Sequence, residues 1–104
     1  MKFLVAVALI VGSALAIAGS EHVVLQKNIA FAPKALKVKA GDSIRFTNED
    51  PVPHNVFSLS KENAFDLGVF EKGASKKVVL EKPGIVDVEC SIHPAMKLRI
   101  EVEK

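Results

Sequence analysis

The chain has 104 residues, so its length allows one domain and leaves little room for a second. Its 14 basic and 12 acidic side chains give a formal net charge of +2, too small for the basic surface of a nucleic-acid-binding protein. The single cysteine excludes an intrachain disulfide. A domain this small is only marginally stable, and a metal that binds its folded state is one source of additional stability.

The first 18 residues have the pattern of a secretory signal peptide. Lys2 supplies a positive charge, an apolar run follows it, and Ala16-Ile17-Ala18 is an A-x-A pattern that predicts cleavage before Gly19. The apolar run is shorter than the roughly 20 residues of a membrane-spanning helix, so we favour a cleaved signal over a permanent anchor. The prediction is a signal peptide at residues 1–18 and one domain at residues 19–104, exported to the periplasm or secreted.

The rest of the chain alternates apolar and polar residues with a period of two, between turn residues. This pattern is typical of short strands with one buried face. The predicted strands are Val23 to Ile29, Leu36 to Lys39, Ile44 to Thr47, His54 to Leu59, Ser75 to Leu80, Val86 to Cys90 and Leu98 to Glu103. The segment from Lys61 to Phe70 fits either a short helix or an irregular strand. The pattern predicts an all-β domain, a sandwich or small barrel with Greek-key connections.

Cys90 ends a strand in which alternate residues are apolar. Val86 and Val88 fall on the same face as Cys90, because side chains alternate across a strand. If the valines enter the core, the Cys90 sulfur also points inward at the rim of the fold. A free thiol in an exported protein is exposed to oxidising conditions, and a metal bound to the thiolate would protect it.

A thiolate, an imidazole and a thioether occur within seven residues, in the segment from Cys90 to Met96. One tight loop can bring them together, and His54 adds a second imidazole from the start of another strand. Each residue alone would be explained as part of a core or loop, but together they are the ligand set of a blue copper site. Zinc would also bind them, although structural zinc sites rarely use methionine. His22, the third histidine, is expected at an exposed strand start.

Four segments carry a more specific pattern. They are Val38-x-x-Gly41-Asp42-x-Ile44-x-Phe46-x-Asn48, Pro53-His54-Asn55-Val56, Pro83-Gly84 and Cys90-x-x-His93-Pro94-x-Met96. Together they resemble the cupredoxin family of blue copper proteins, in particular the branch of the amicyanins, pseudoazurins and plastocyanins. The resemblance covers nearly all of the predicted domain, and the C-terminal loop is its most specific part. It implies a Greek-key β-sandwich of about seven to eight strands that holds one type 1 copper ion near one end.

The resemblance also implies roles for individual residues. His54, Cys90 and His93 would be the equatorial copper ligands, and Met96 would be the axial ligand. Asn55 would join the two ligand loops, with its backbone N–H donating to the Cys90 sulfur and its side chain bonding across the gap.

One position departs from the pattern of this branch. Ile92 precedes the loop histidine, where proline is often found. Its backbone N–H is expected to donate a second hydrogen bond to the Cys90 sulfur, which would stabilise Cu(I) and raise the reduction potential.

The ligand set and the resemblance together indicate an electron carrier and not an enzyme. A catalytic metal site needs an open coordination position, and four side-chain ligands leave none. We expect a monomer without a permanent membrane span, with an apolar surface around the site and redox protein partners that dock transiently near His93. That surface consists of Val52 and Pro53 beside His54, and of Pro94 and Ala95 beside His93. The alternative is a periplasmic copper-binding protein for copper delivery or homeostasis.

Overall fold

The computed structural model describes residues 19–104, and the predicted signal peptide lies outside the described residues. This part of the chain contains nine strands and no helix, so no helix in it is able to cross a membrane. The strands are β1 (Glu21–Gln26), β2 (Phe31–Ala32), β3 (Ala35–Lys39), β4 (Ser43–Asn48), β5 (His54–Ser58), β6 (Phe65–Phe70), β7 (Ser75–Val79), β8 (Gly84–Glu89) and β9 (Lys97–Glu103).

The strands form two sheets that enclose a common core. One sheet has the order β2-β1-β4-β7, and the other has the order β3-β9-β8-β5-β6. β1 pairs with β4 and β3 pairs with β9 in parallel, while the other neighbours are antiparallel. Most neighbours within a sheet are not consecutive in the chain, so the connections cross between the sheets as in a Greek key. The predicted all-β Greek-key sandwich is confirmed.

Apolar side chains at alternate positions of the strands fill the core from both sheets. Along β9, Leu98, Ile100 and Val102 are buried, whereas Arg99 and Glu101 between them are exposed. Burying an aliphatic side chain of this size contributes about 1.5–3 kcal/mol. The predicted parity of β8 is also confirmed, since its inward residues and the cysteine after it are all nearly inaccessible. They are Val86, Val88 and Cys90, at 0%, 0% and 1% exposure.

Two of the nine strands were not among the predicted segments. β2 has two residues and is too short to show a period. β6 occupies the segment that the sequence left open between a helix and an irregular strand. Its alternation is blurred because Phe65 and Leu67 are only partly buried and Gly68 has a φ of 76°. The period is lost where the backbone leaves the extended conformation.

The first strand ends at Gln26 and not at Ile29 as predicted, because a tight turn follows it. The Lys27 N–H donates to the Ala30 carbonyl at 2.9 Å. Asn28 and Ile29 occupy the centre of this turn with φ values of 56° and 54°. Two positive φ values in succession are typical of a type I′ hairpin turn, in which the second position favours glycine.

Candidate metal centre

The sheet register brings three of the four predicted ligands to one end of the sandwich. β5 and β8 are antiparallel neighbours, and Phe57 pairs with Glu89. His54 lies three residues before Phe57, so in an antiparallel pair it faces the loop that follows Glu89. That loop carries Cys90 and His93, which lie 36 and 39 residues from His54 in the sequence. The site therefore depends on the pairing of β5 with β8.

The three side chains direct one donor atom each toward a common point. His54 Nδ1 lies 3.2 Å from His93 Nδ1, and each nitrogen lies 3.9 Å from Cys90 Sγ. The circle through atoms at these separations has a radius of about 2.1 Å, within the range of about 2.0–2.3 Å for metal–nitrogen and metal–sulfur bonds. The triangle thus has the size required to hold one ion.

The chemistry of these donors fits copper. Two imidazole nitrogens and one thiolate in a trigonal arrangement suit a blue copper centre, whereas zinc prefers four strong ligands in a tetrahedron. His54 and Cys90 are buried, at 0% and 1% exposure, and His93 is half-buried. The site is therefore shielded from solvent on two sides and open at His93.

Met96 follows His93 in a tight turn, in which the Met96 N–H donates to the His93 carbonyl at 2.9 Å. Its side chain is 1% exposed and belongs to the core cluster. The turn therefore points the thioether inward at the end of the ligand loop. Its role as the axial ligand stays a prediction.

Asn55 makes the contacts that the resemblance implied. Its backbone N–H donates to Cys90 Sγ at 3.4 Å, and its Oδ1 accepts the Ser91 N–H at 2.7 Å and the Ser91 hydroxyl at 3.1 Å. Asn55 is 7% exposed, so these bonds are protected from water. These hydrogen bonds fasten the start of β5 to the loop that carries Cys90 and His93. The hydroxyl of Ser91 adds a contact that the sequence analysis did not identify.

The second donor expected for the Cys90 sulfur does not form. Within residues 19–104, Asn55 gives the backbone hydrogen bond to this sulfur, and the Ile92 N–H makes none. Ser91 turns its N–H toward Asn55, and Ile92 lies on the outer side of the loop with 44% of its surface exposed. The expectation for Ile92 was wrong, because this part of the loop directs the Ser91 N–H to Asn55 and exposes Ile92 to solvent.

Asp50 contacts the site but was missed in the sequence analysis. Its Oδ2 lies 2.7 Å from His54 Nε2, the ring nitrogen that faces away from the donor triangle. The same carboxylate accepts the backbone N–H groups of Asn28 at 2.7 Å and Ile29 at 2.9 Å. Burial raises the pKa of Asp50, but the hydrogen bonds from His54, Ile29 and Asn28 outweigh it and hold the pKa below its usual value. The available signal was a carboxylate four residues before a predicted ligand.

His22 lies outside the triangle and is less exposed than expected. Its side chain is 27% exposed, and its Nε2 lies 2.9 Å from Asp42 Oδ2. Asp42 also accepts the backbone N–H groups of Ser20 at 2.9 Å and Lys39 at 3.0 Å. The hydrogen bond from His22 and then those backbone bonds lower the pKa of Asp42 from 3.8 to about 2. This cluster fastens the start of β1 to the turn before β4.

This chain matches one family model and several named proteins in sequence. A model of the copper binding proteins of the plastocyanin/azurin family matches residues 19–103. Amicyanin-alpha from Methylorubrum extorquens is 32% identical over 89 residues, which cover 83% of this chain and 74% of that protein. The methylamine utilization protein MauL from the same organism is 30% identical over 90 residues, covering 86% and 79%. Plastocyanin from Ulva pertusa is 32% identical over 89 residues, covering 73% and 89%.

Solved structures share the fold. A reduced tryptophan-to-tyrosine variant of amicyanin has a TM-score of 0.74 and 26% identity, covering 86% of this chain and 89% of that one. The copper-containing nitrite reductase NirK from Thermus scotoductus has a TM-score of 0.76 and 26% identity, covering 81% of this chain and 22% of that one. The family match extends over nearly all described residues, and the donor triangle lies within it. This chain belongs to the plastocyanin/azurin family of copper-binding proteins.

Proposed function

We propose that this protein is an exported, mononuclear blue copper protein that carries single electrons between redox partners. The donor triangle of His54, Cys90 and His93 carries the proposal, because its three sides of 3.2–3.9 Å suit one ion. These residues are the equatorial ligands in the proposal, and Met96 is the axial ligand. Copper, when bound, supplies the one-electron couple between Cu(I) and Cu(II).

The hydrogen bonds around the triangle favour electron transfer over copper delivery. Asp50 fixes the His54 ring, and Asn55 fixes both Cys90 and the loop that follows it. Donors held in place by the fold need little rearrangement when the ion changes oxidation state. A delivery protein has the opposite requirement, since its ligands must open to release the ion. The likeness to amicyanin and plastocyanin supports the same choice.

The exposed surface at His93 suits brief contact with a redox partner. Ile92 is 44% exposed, and Pro94 and Ala95 are exposed in the same loop as His93, while Val52, two residues before His54, is 36% exposed. A small apolar surface of this kind suits the small interfaces of electron-transfer complexes. In the proposal the protein is a monomer, its partners dock around His93, and the predicted signal peptide sends it to the periplasm or out of the cell.

An absorption spectrum of the Cu(II) protein tests the metal assignment. We expect an intense band at about 600 nm from charge transfer between the Cys90 thiolate and copper. The band should disappear in Cys90→Ser and remain in His22→Ala, which removes a histidine outside the triangle. A wild-type protein without the band, or a Cys90→Ser variant that keeps it, would refute the assignment.

Retention of copper separates the two functions. The Cu(I) protein would be cycled repeatedly between oxidation states in the presence of a competing chelator, and bound copper would be measured after each cycle. A carrier keeps its ion through the cycles. Progressive loss to the chelator would instead support copper delivery.

A further inference from the structure

Asp50 links a proposed copper ligand to a turn in the other sheet. It lies in the loop between β4 and β5 and is 5% exposed. Its Oδ2 contacts both His54 Nε2 at 2.7 Å and the Ile29 N–H at 2.9 Å, while its Oδ1 accepts the Asn28 N–H at 2.7 Å. Its own N–H donates to Asn48 Oδ1 at 2.8 Å. Both oxygens of this carboxylate therefore accept hydrogen bonds from the protein, and its backbone is anchored as well.

The turn that holds the carboxylate is strained. Ile29 has a φ of 54°, and a positive φ is a genuine outlier for a β-branched side chain. The conformation aims two successive backbone N–H groups at Asp50, which is the arrangement of an anion-binding nest. Strained backbone of this kind persists where its surroundings determine it, and it is concentrated at functional sites. The turn therefore fixes the carboxylate in both position and orientation.

The carboxylate in turn determines which nitrogen of His54 is available. To donate to Asp50, the ring must carry its proton on Nε2, which leaves the lone pair on Nδ1. Nδ1 is the nitrogen that faces His93 Nδ1 and Cys90 Sγ. A carboxylate that accepts from a ligating imidazole fixes its tautomer and makes it a stronger donor.

We propose that Asp50 is a positioning residue of the copper site, which presents His54 Nδ1 to the metal and whose negative charge favours Cu(II) over Cu(I). The inference rests on the proposed function, because that function makes His54 a copper ligand. The charge of Asp50 acts on the copper site through the hydrogen-bonded His54 ring. We therefore expect it to lower the reduction potential more than the exposed charge of the adjacent Glu49 does.

Two variants distinguish the effect of a hydrogen-bonded charge on the reduction potential from the effect of a nearby charge without that bond. Asp50→Asn keeps the shape and removes the charge, while Glu49→Gln removes an exposed charge from the adjacent residue. In Asp50→Asn we expect the affinity for Cu(II) to fall about tenfold relative to Cu(I), a rise of about 59 mV in the one-electron potential. Glu49→Gln should move the potential by less than a quarter of that amount. An unchanged potential in Asp50→Asn, or equal shifts in both variants, would overturn the proposal.

Nitrogen-15 NMR of the metal-free wild-type protein provides a test that needs no variant. We expect one His54 tautomer, with the proton on Nε2 and the lone pair on Nδ1. A major tautomer with the proton on Nδ1 would overturn the proposal, even if Asp50→Asn does not fold. This measurement reports on the Asp50–His54 contact alone. A wild-type copper protein without the absorption band would instead refute the proposed function, so the two failures are distinguishable.

Discussion

Gln26 offers a sharp test of how polar groups contribute to the stability of this sandwich. Its side chain is 0% exposed at the end of β1, and neither Oε1 nor Nε2 has a hydrogen-bond partner among the described residues. A buried polar group without a partner costs about 1–3 kcal/mol. Leucine has a similar volume, so Gln26→Leu removes that cost without overpacking the core.

We expect Gln26→Leu to stabilise the metal-free protein by about 2 kcal/mol. For a domain of this size, such a gain raises the melting temperature by about 10 °C. Thermal unfolding followed by circular dichroism measures the change, and the metal-free protein is used because bound copper would add its own contribution to stability.

Asn48 is a matched control from the neighbouring strand, where it pairs with Gln26. It is also 0% exposed, but its Nδ2 donates to the carbonyls of Val52 and Phe70, and its Oδ1 accepts the Asp50 N–H. Asn48→Leu leaves those three groups unpaired and should destabilise the protein by about 3 kcal/mol or more. Replacement by leucine should thus raise the stability of the protein at Gln26 and lower it at the paired Asn48. If Gln26→Leu also lowers the melting temperature, the reasoning from the unpaired amide is refuted.

Three further predictions follow from individual contacts. Asn55→Ala should weaken copper binding about 10–100-fold in a chelator competition, whereas Asn63→Ala, which breaks contacts to Lys82 elsewhere, should not. Asp42 has a folded pKa of about 2 against 3.8, so its contribution to stability is complete above pH 3.8 and is lost as the pH falls toward 2. Urea midpoints of wild type and Asp42→Asn should therefore differ near neutral pH and converge toward pH 2. Ile92→Pro should leave the voltammetric potential unchanged, and a clear shift would show that the Ile92 N–H contacts the sulfur.

Strands with a solvated face could be predicted because burial imposes a period of two on their side chains. β9 shows this in its alternation of Leu98, Ile100 and Val102 with charged residues. β6 could not be predicted in the same way, since the positive φ of Gly68 and partly buried neighbours interrupt the period. The early end of β1 was missed because Ile29 occupies a turn position where the sequence pattern expects glycine.

In the candidate site, too, features set by the side-chain pattern could be predicted, whereas contacts made by the backbone could not. Cys90 and His93 could be predicted as neighbours because the required donors occur three residues apart. The contacts of Asp50 with Asn28 and Ile29 could not, because these partners are backbone N–H groups of a distant turn, which leave no side-chain signature. The failed expectation for Ile92 has a related cause, since the direction of its N–H depends on how the loop bends at Ser91.

The burial of Cys90 also gives the protein an internal reporter of its own unfolding. With 1% of its surface exposed, this thiol is closed to alkylating reagents while β5 and β8 remain paired. It is also the single cysteine of the chain, so every modified molecule has opened at the metal end. The alkylation rate of the metal-free protein therefore measures the free energy of opening that end. In an oxidising compartment, the same opening would limit the rate at which two copies become joined by a disulfide.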